Sequence, residues 1–384
     1  MEFELSQDQI VFRDSLRRFL RERYSPHQRQ AILSGGEGWS AKHWGAFADE
    51  LGILGVRPAE NTPGTVGGAI ETMIIMDLLG EALVLEPFLE TVVVGGGLLR
   101  RDGSLAAKSL LAEIALGRVR IAFASGEPET RYASNHVSTR AHRDGNGWHM
   151  SGTKNIVFGA PLATHIIVSA RTHGQRTDPD GISLFLVDRG VAGLKMYPYV
   201  TLDERRAADV WFEHVKLPEA ALLGTIGLAL PLIDLVMDEA TAALCAEATG
   251  VMRRLLDSTV EYTRQRRQFG QPISQFQALQ HRMADMYIAL EQARSAVMLA
   301  TLKLTHSPVD RSLAVSAAKT TINECGRFIG QNAVQLHGGM GITQDLAIGA
   351  YFRRLTVIGN QFGTCDHHLD RYARLSRHRP AEAT

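Results

Sequence analysis

From Leu279 to Leu304 the apolar residues Leu279, Met283, Met286, Leu290, Ala293, Val297, Ala300 and Leu304 recur at separations alternating between four and three. Such a repeat keeps one stripe of side chains on one side of a long helix, and the stripe is stable only against other helices. The segment therefore calls for a helical bundle, with its methionines in the core rather than on a binding face. Helical spacing also marks the start of the chain: Ser6 and Gln9 make a capping box, followed by Phe12, Leu16, Phe19 and Leu20 on one face. A Gly- and Pro-rich passage from Pro58 to Gly68 interrupts it, and helix resumes over Ala69 to Leu85. Gly95-Gly96-Gly97 lacks a G-x-G-x-x-G frame and reads as close helix packing, not a phosphate loop.

The grammar changes after Arg118. Asp144-Gly145-Asn146-Gly147 is a hairpin signal. Ile166-Ile167-Val168, Ile182 to Val187 and the imperfect alternation over Val210 to Val215 read as short strands ending near Pro218. Helix returns from about Leu222 and includes Leu313 to Phe328, with a Gly-rich break after Val334. The expected fold class is α+β: an N-terminal helical domain (1–118), a middle antiparallel β domain (119–221) and a C-terminal four-helix bundle (222–384).

Composition narrows the function. The 384 residues leave room for about two or three domains. Their 41 basic and 41 acidic side chains cancel, which argues against nucleic acid as a partner. Cys245, Cys325 and Cys365 stand far apart, which fits neither a disulfide framework nor a zinc ribbon. The acidic N-terminus lacks a signal-peptide pattern, and the longest apolar stretch, Ala220 to Ile233, is too short to span a bilayer and contains Pro231. The expectation is a cytoplasmic protein with no membrane span and no metal site.

No Walker loop, G-x-S-x-G elbow, H-E-x-x-H helix or EF-hand loop is present. His367-His368 is adjacent, so the two rings cannot face one metal from one helix side, and a solvated helix terminus is the simpler reading. Two clusters stand out. The first runs from Tyr262 through Arg264, Arg266, Arg267, Phe269, Gly270, Pro272 and Ile273 to Phe276 and Gln277. Guanidinium forks beside a turn suit a pyrophosphate, although basic residues in a last helical turn also compensate the helix dipole. The second cluster is Gln335-Leu336-His337-Gly338-Gly339-Met340-Gly341. Its glycines would let backbone N–H groups approach an anion, or would simply cap a helix.

In this order and separation, Arg266-x-x-Phe269-Gly270, Gln277 and Gln335-Leu-His-Gly338-Gly339-x-Gly341 resemble the acyl-CoA dehydrogenase family over nearly the whole chain. Within it, Val236 to Gly250, Tyr351 to Thr356 and Phe362 to Leu369 are similar to the small-subunit branch of the pimeloyl-CoA dehydrogenases. The resemblance implies FAD bound between subunits, an acyl-CoA substrate, and electron-transfer flavoprotein or a similar acceptor. It implies that Arg266 and Phe269 contact the FAD of a neighbouring subunit, that Ile273, Phe276 and Gln277 line the same site, and that Gln335, Gly338 and Gly339 approach its pyrophosphate or adenosine portion.

Departures from the family pattern carry as much information. The string that usually holds the catalytic glutamate reads Phe362-Gly363-Thr364, and the alternate base position on an earlier helix is Ala240. Glu239, one residue away, is the candidate displaced base, with the early-helix acid of an ordinary helix start as the competing reading. The family's Thr-Glu-Pro appears as Gly126-Glu127-Pro128, its Gly-Ser-Asp as Ala133-Ser134-Asn135, and its flavin-facing Trp and Thr as Ile156 and Phe158. Ser134 is the cofactor contact that survives there. A homo- or hetero-oligomer with a second dehydrogenase-like subunit follows as an expectation. The resemblance implies a subunit that introduces an α,β double bond into an acyl-CoA thioester; the alternatives are a catalytically incomplete partner subunit of a heteromeric acyl-CoA dehydrogenase, a flavin monooxygenase of the same fold and a flavin-free scaffold subunit.

Overall fold

Ser6 accepts the Gln9 N–H at 3.2 Å while the Gln9 side chain accepts the Ser6 N–H at 3.0 Å, so the capping box starts the first helix as its residues require. The computed structural model describes residues 5–55, 68–343 and 346–377. Most of the Gly- and Pro-rich passage read between Pro58 and Gly68 lies outside the described residues. In chain order the first helices are α1 (Gln7–Arg23), α2 (Pro26–Ser34), α3 (Ala41–Asp49), α4 (Ala69–Ala82), α5 (Gly96–Asp102) and α6 (Leu105–Ala115). After the strands come α7 (Leu230–Gln265), α8 (Gln277–Lys303), α9 (Pro308–His337), α10 (Ile348–Ile358) and α11 (Cys365–Arg377).

The chain divides into two compact units, Met1–Ser34, Gly68–Val84 and Thr241–Thr384 in one, Gly35–Gly67 and Leu85–Ala240 in the other. In the first, the seam of α8 is buried at Met286, Leu290, Ala293, Val297 and Ala300, and α9 packs against α8, α10 and α11. Leu279 and Met283 at the start of that seam are only half-buried. A Cβ on Gly80 would overlap the Glu247 carbonyl oxygen, and one on Gly250 would overlap that of Asp77. Glycine at both positions lets α4 and α7 meet backbone to backbone.

The second unit carries a sheet of β1 (Ile121–Ala124), β2 (Arg140–Asp144), β3 (Gly147–Phe158), β4 (His165–Arg171), β5 (Ile182–Asp188), β6 (Leu194–Val200), β7 (Arg206–Pro218) and β8 (Leu222–Leu223). The order is β6-β7-β3-β2-β4-β5-β8, with β1 beside β4. The expected antiparallel domain is in fact mixed, because β1 pairs β4 in parallel from Ile121↔His165 onward. A parallel pair needs a long crossover, and the chain between these strands contains the whole β2–β3 hairpin. One face packs Trp148, Met150, Val157, Phe185, Val210 and Phe212 into a core. A Cβ on Gly95 would come 2.7 Å from Ile121 Cγ2 of β1 and one on Gly97 3.1 Å from Val236 Cγ1 of α7, so the expected close packing is against a strand as well as a helix. Among the described residues no helix is long and apolar enough to cross a membrane, and no cluster of metal-binding side chains occurs.

Candidate cofactor and active site

The first cluster forms a built corner. After α7 ends, Arg267–Gln268 pairs antiparallel with Gln271–Pro272, leaving Phe269 and Gly270 as a two-residue turn. Their φ values are 54 and 81, the left-handed pair that a type I′ turn demands. A phenylalanine held there costs about 1–3 kcal/mol, a strain that concentrates at binding sites. Its ring is 89% exposed and meets Phe276 edge-on at 6.0 Å between centroids. The Ile273 N–H donates to the Arg266 carbonyl at 2.9 Å, which closes the corner onto α8 and brings Gln277 to its first turn. Among the described residues the exposed Arg266 guanidinium has no hydrogen-bond or ionic partner.

The second cluster lies in the same unit and is tied to the first. The His337 ring, at the end of α9, stacks on Tyr262 at 4.4 Å between centroids. His337 Nδ1 donates to the Ala333 carbonyl at 2.7 Å, and burial lowers the imidazole's pKa although that bond opposes the shift. Gly338 follows at φ 57, and a Cβ on Gly338 or Gly339 would meet nothing within 4 Å. Gln335, Gly338 and Gly339 are exposed. Gly338 caps α9, its N–H donating to the Gln335 carbonyl, while the open Arg266 guanidinium and the clear space before both glycines suit a bound anion. Tyr262 and His337 had no assigned role in the sequence; their signal was position, one helical turn before Arg266 and directly before Gly338.

Phe362 sits at φ 62, followed by Gly363 at φ 128. The His368 ring packs over this turn, where a Cβ on Gly363 would overlap it, and its Nε2 donates to the Phe362 carbonyl at 3.0 Å. Among the described residues the Phe362 N–H donates to no partner. Burial pushes the His368 imidazole down to about 3, with His367, Lys319 and Arg371 adding to the effect and the Phe362 carbonyl opposing it. The adjacent histidines are therefore not simply a solvated terminus, because His368 is buried. In the unfolded chain this group protonates below about 6.5, whereas folded it stays neutral until about 3. Its stabilising contribution is full above pH 6.5 and is lost as pH falls through that window. Urea midpoints should fall more steeply from pH 6.5 to 3 in the wild type than in His368→Gln.

The second unit holds the remaining candidates. Ala240 is fully buried. Glu239 is buried, and both of its oxygens accept from the Arg101 guanidinium, at 2.6 and 3.2 Å. Proton transfer to Glu239 would first require that fork to open. The Ser134 hydroxyl donates to Asp234 at 2.7 Å. Ile156 stands at φ 52 with its N–H donating to Asp209 at 3.0 Å, and Tyr199 donates to the same oxygen at 3.1 Å. On this side the Ser134 and Ile156 donors are satisfied within the chain, whereas in the bundle the Arg266 guanidinium is open among the described residues. Burial raises the Tyr199 phenol to about 12, with Asp209 adding to it.

Beneath these contacts lies a buried ion pair. Lys154 Nζ donates to Glu127 at 2.8 Å, and the Ser138 and Thr139 N–H groups donate to the same carboxylate at 2.7 and 2.9 Å. Burial acts to raise the Glu127 carboxyl, but Lys154 and the two backbone donors more than offset it and hold it below the ordinary value. Burial likewise pushes the Lys154 ammonium down to about 8 against the pull of Glu127.

Comparison with known proteins agrees with this arrangement. Residues 232–376 match the model for the acyl-CoA dehydrogenase C-terminal domain, and residues 122–215 that for the acyl-CoA dehydrogenase middle domain. A probable acyl-CoA dehydrogenase of Bacillus subtilis, YngJ, is 28% identical, over 94% of this chain and 96% of its own length. The FAD complex of PigA superposes with a TM-score of 0.89 at 25% identity, covering 99% of this chain and 100% of that one. The ChsE4–ChsE5 complex from Mycobacterium tuberculosis contains a chain that superposes at 0.86 and 25% identity, covering 99% and 100%. The two matched segments together span more than half of the sequence, and the chain belongs to the acyl-CoA dehydrogenase family.

Proposed function

We propose that this chain is a subunit of an FAD-dependent acyl-CoA dehydrogenase that lacks a proton-abstracting side chain of its own and completes a cofactor site shared with a second dehydrogenase-like subunit. The observation that carries this reading is the contrast between Phe362, a phenyl ring at the usual base position, and the open corner of Arg266, Phe269, Gly338 and Gly339. The unpartnered guanidinium and the clear space before the glycines fit the pyrophosphate of FAD. Phe269, Ile273, Phe276 and Gln277 supply the apolar and amide surface beside it. Gln335 stands beside the glycines. When bound, FAD would take up the β-hydrogen of the acyl chain as hydride.

The chain's own residues act around that chemistry. The open Phe362 N–H offers a hydrogen-bond donor to a thioester carbonyl oxygen in this chain's own site, where no side chain of the chain takes an α-proton. A base on the second subunit accepts the proton in that subunit's own site, while Arg266 of this chain steadies the shared cofactor. Glu239 belongs to the Arg101 fork rather than to proton transfer. The similarity to the pimeloyl-CoA branch favours a dicarboxylyl or similarly unusual acyl chain as substrate and an electron-transfer flavoprotein as acceptor. The heteromeric ChsE4–ChsE5 relative supports an unlike partner.

Arg266→Ala in the complex as purified should weaken flavin retention by about 10-fold, the order expected for one charge-assisted hydrogen bond. Unchanged flavin affinity in that variant would sink the assignment. Glu239→Gln should lower the melting temperature and leave turnover intact.

A further inference from the structure

Four buried or half-buried side chains converge on the turn that presents the Phe362 amide. Lys319 Nζ donates to the Ile358 carbonyl and, at 2.9 Å, to Asn323 Oδ1. Asn323 Nδ2 donates to the Gly359 carbonyl at 3.3 Å, His368 Nε2 to the Phe362 carbonyl at 3.0 Å, and Arg354 Nη1 to Gln361 Oε1 at 3.4 Å. Arg354 is itself fixed by two 2.7 Å bonds to Glu247. The carbonyls of Ile358 and Gly359 close α10, so a cation there is favoured by the helix dipole.

A last-turn carbonyl usually finds water or a glycine cap. Here successive carbonyls are taken by side chains on α9 and α11, in a turn that ends in a bulky residue at φ 62. A left-handed phenylalanine persists only where its surroundings over-determine it. The bond to the Phe362 carbonyl holds this residue in its left-handed conformation, and among the described residues its N–H has no partner.

We propose that His368, Asn323 and Lys319 are positioning residues that lock this turn so that the Phe362 N–H is held ready for the oxygen of an acyl-CoA thioester. The inference rests on the acyl-CoA reading above. A preorganised donor needs no reorganisation when charge develops, which is where such groups act most strongly. What the turn presents to a substrate is the backbone amide of Phe362, and the phenyl ring plays no part in the chemistry.

The test uses the protein as purified, with any copurifying chain, and octanoyl-CoA isotope-labelled at the thioester carbonyl. Bound to the wild type, the carbonyl stretch should move to lower frequency than in water. His368→Phe should lose that shift while retaining octanoyl-CoA, and His368→Gln, whose amide can still donate to the Phe362 carbonyl, should recover it. Asn323→Leu should lose part of it, and provides the same reading if His368→Phe does not fold. A full shift in His368→Phe or in Asn323→Leu overturns the inference. Absence of binding to the wild type by octanoyl-CoA and by a dicarboxylyl-CoA alike overturns the acyl-CoA reading itself, and the inference with it.

Discussion

Phe362→Glu should raise acyl-CoA-dependent flavin bleaching at this chain's own site by about 10²- to 10⁴-fold, the usual range for a positioned general base. The substitution places a carboxylate where the family carries one and leaves the backbone contacts of the turn in place. The His368 bond goes to the Phe362 carbonyl, not to its side chain, so the clamp should survive. The existing residue already occupies φ 62, so glutamate adds no new class of backbone strain. A rate indistinguishable from the wild type would mean that substrate does not reach this turn, or that another group already takes the proton. Pre-steady-state reduction of the bound flavin is the measurement, because it isolates the chemical step from reoxidation.

Glu127→Gln should destabilise the chain by about 3–5 kcal/mol, because it leaves the fully buried Lys154 ammonium without its counter-ion. It also turns an amide group toward the N–H donors of Ser138 and Thr139, which now share one carboxylate. A fall in melting temperature on the order of 10 °C follows. The double variant Lys154→Met/Glu127→Leu should recover much of the loss, since an apolar pair of similar volume removes both desolvated charges. Equal melting temperatures for Glu127→Gln and wild type would show that the pair contributes nothing net. The cycle bears on function as well: this carboxylate fastens the segment after β1, which carries Ser134, to β3, which carries Ile156.

Periodicity carried the helices well. The Leu279–Leu304 stripe did mark a long bundle helix, and the hairpin signal at Asp144–Gly147 fell on the observed β2–β3 turn. What spacing could not reveal was pairing across the chain. The parallel β1–β4 ladder joins residues some forty positions apart, and short apolar strands look alike whether their neighbour runs parallel or antiparallel. The site shows the same division. Arg266, Phe269, Gly338 and Gly339 stood out because special residue types cluster locally. The Tyr262–His337 stack, the Arg101 fork on Glu239 and the clamp on Phe362 are all long-range contacts, and no local pattern encodes them. Glu239 is the sharpest case: an acid beside an alternate base position looks available until the fold supplies a guanidinium for both of its oxygens.

The most direct test of the account is acyl-CoA-dependent bleaching of bound flavin, measured for this chain alone and for this chain purified with a second dehydrogenase-like subunit. The account predicts bleaching with the partner present and none, on the same timescale, without it. Rapid bleaching by the chain alone, at a rate matching the complex, would contradict it.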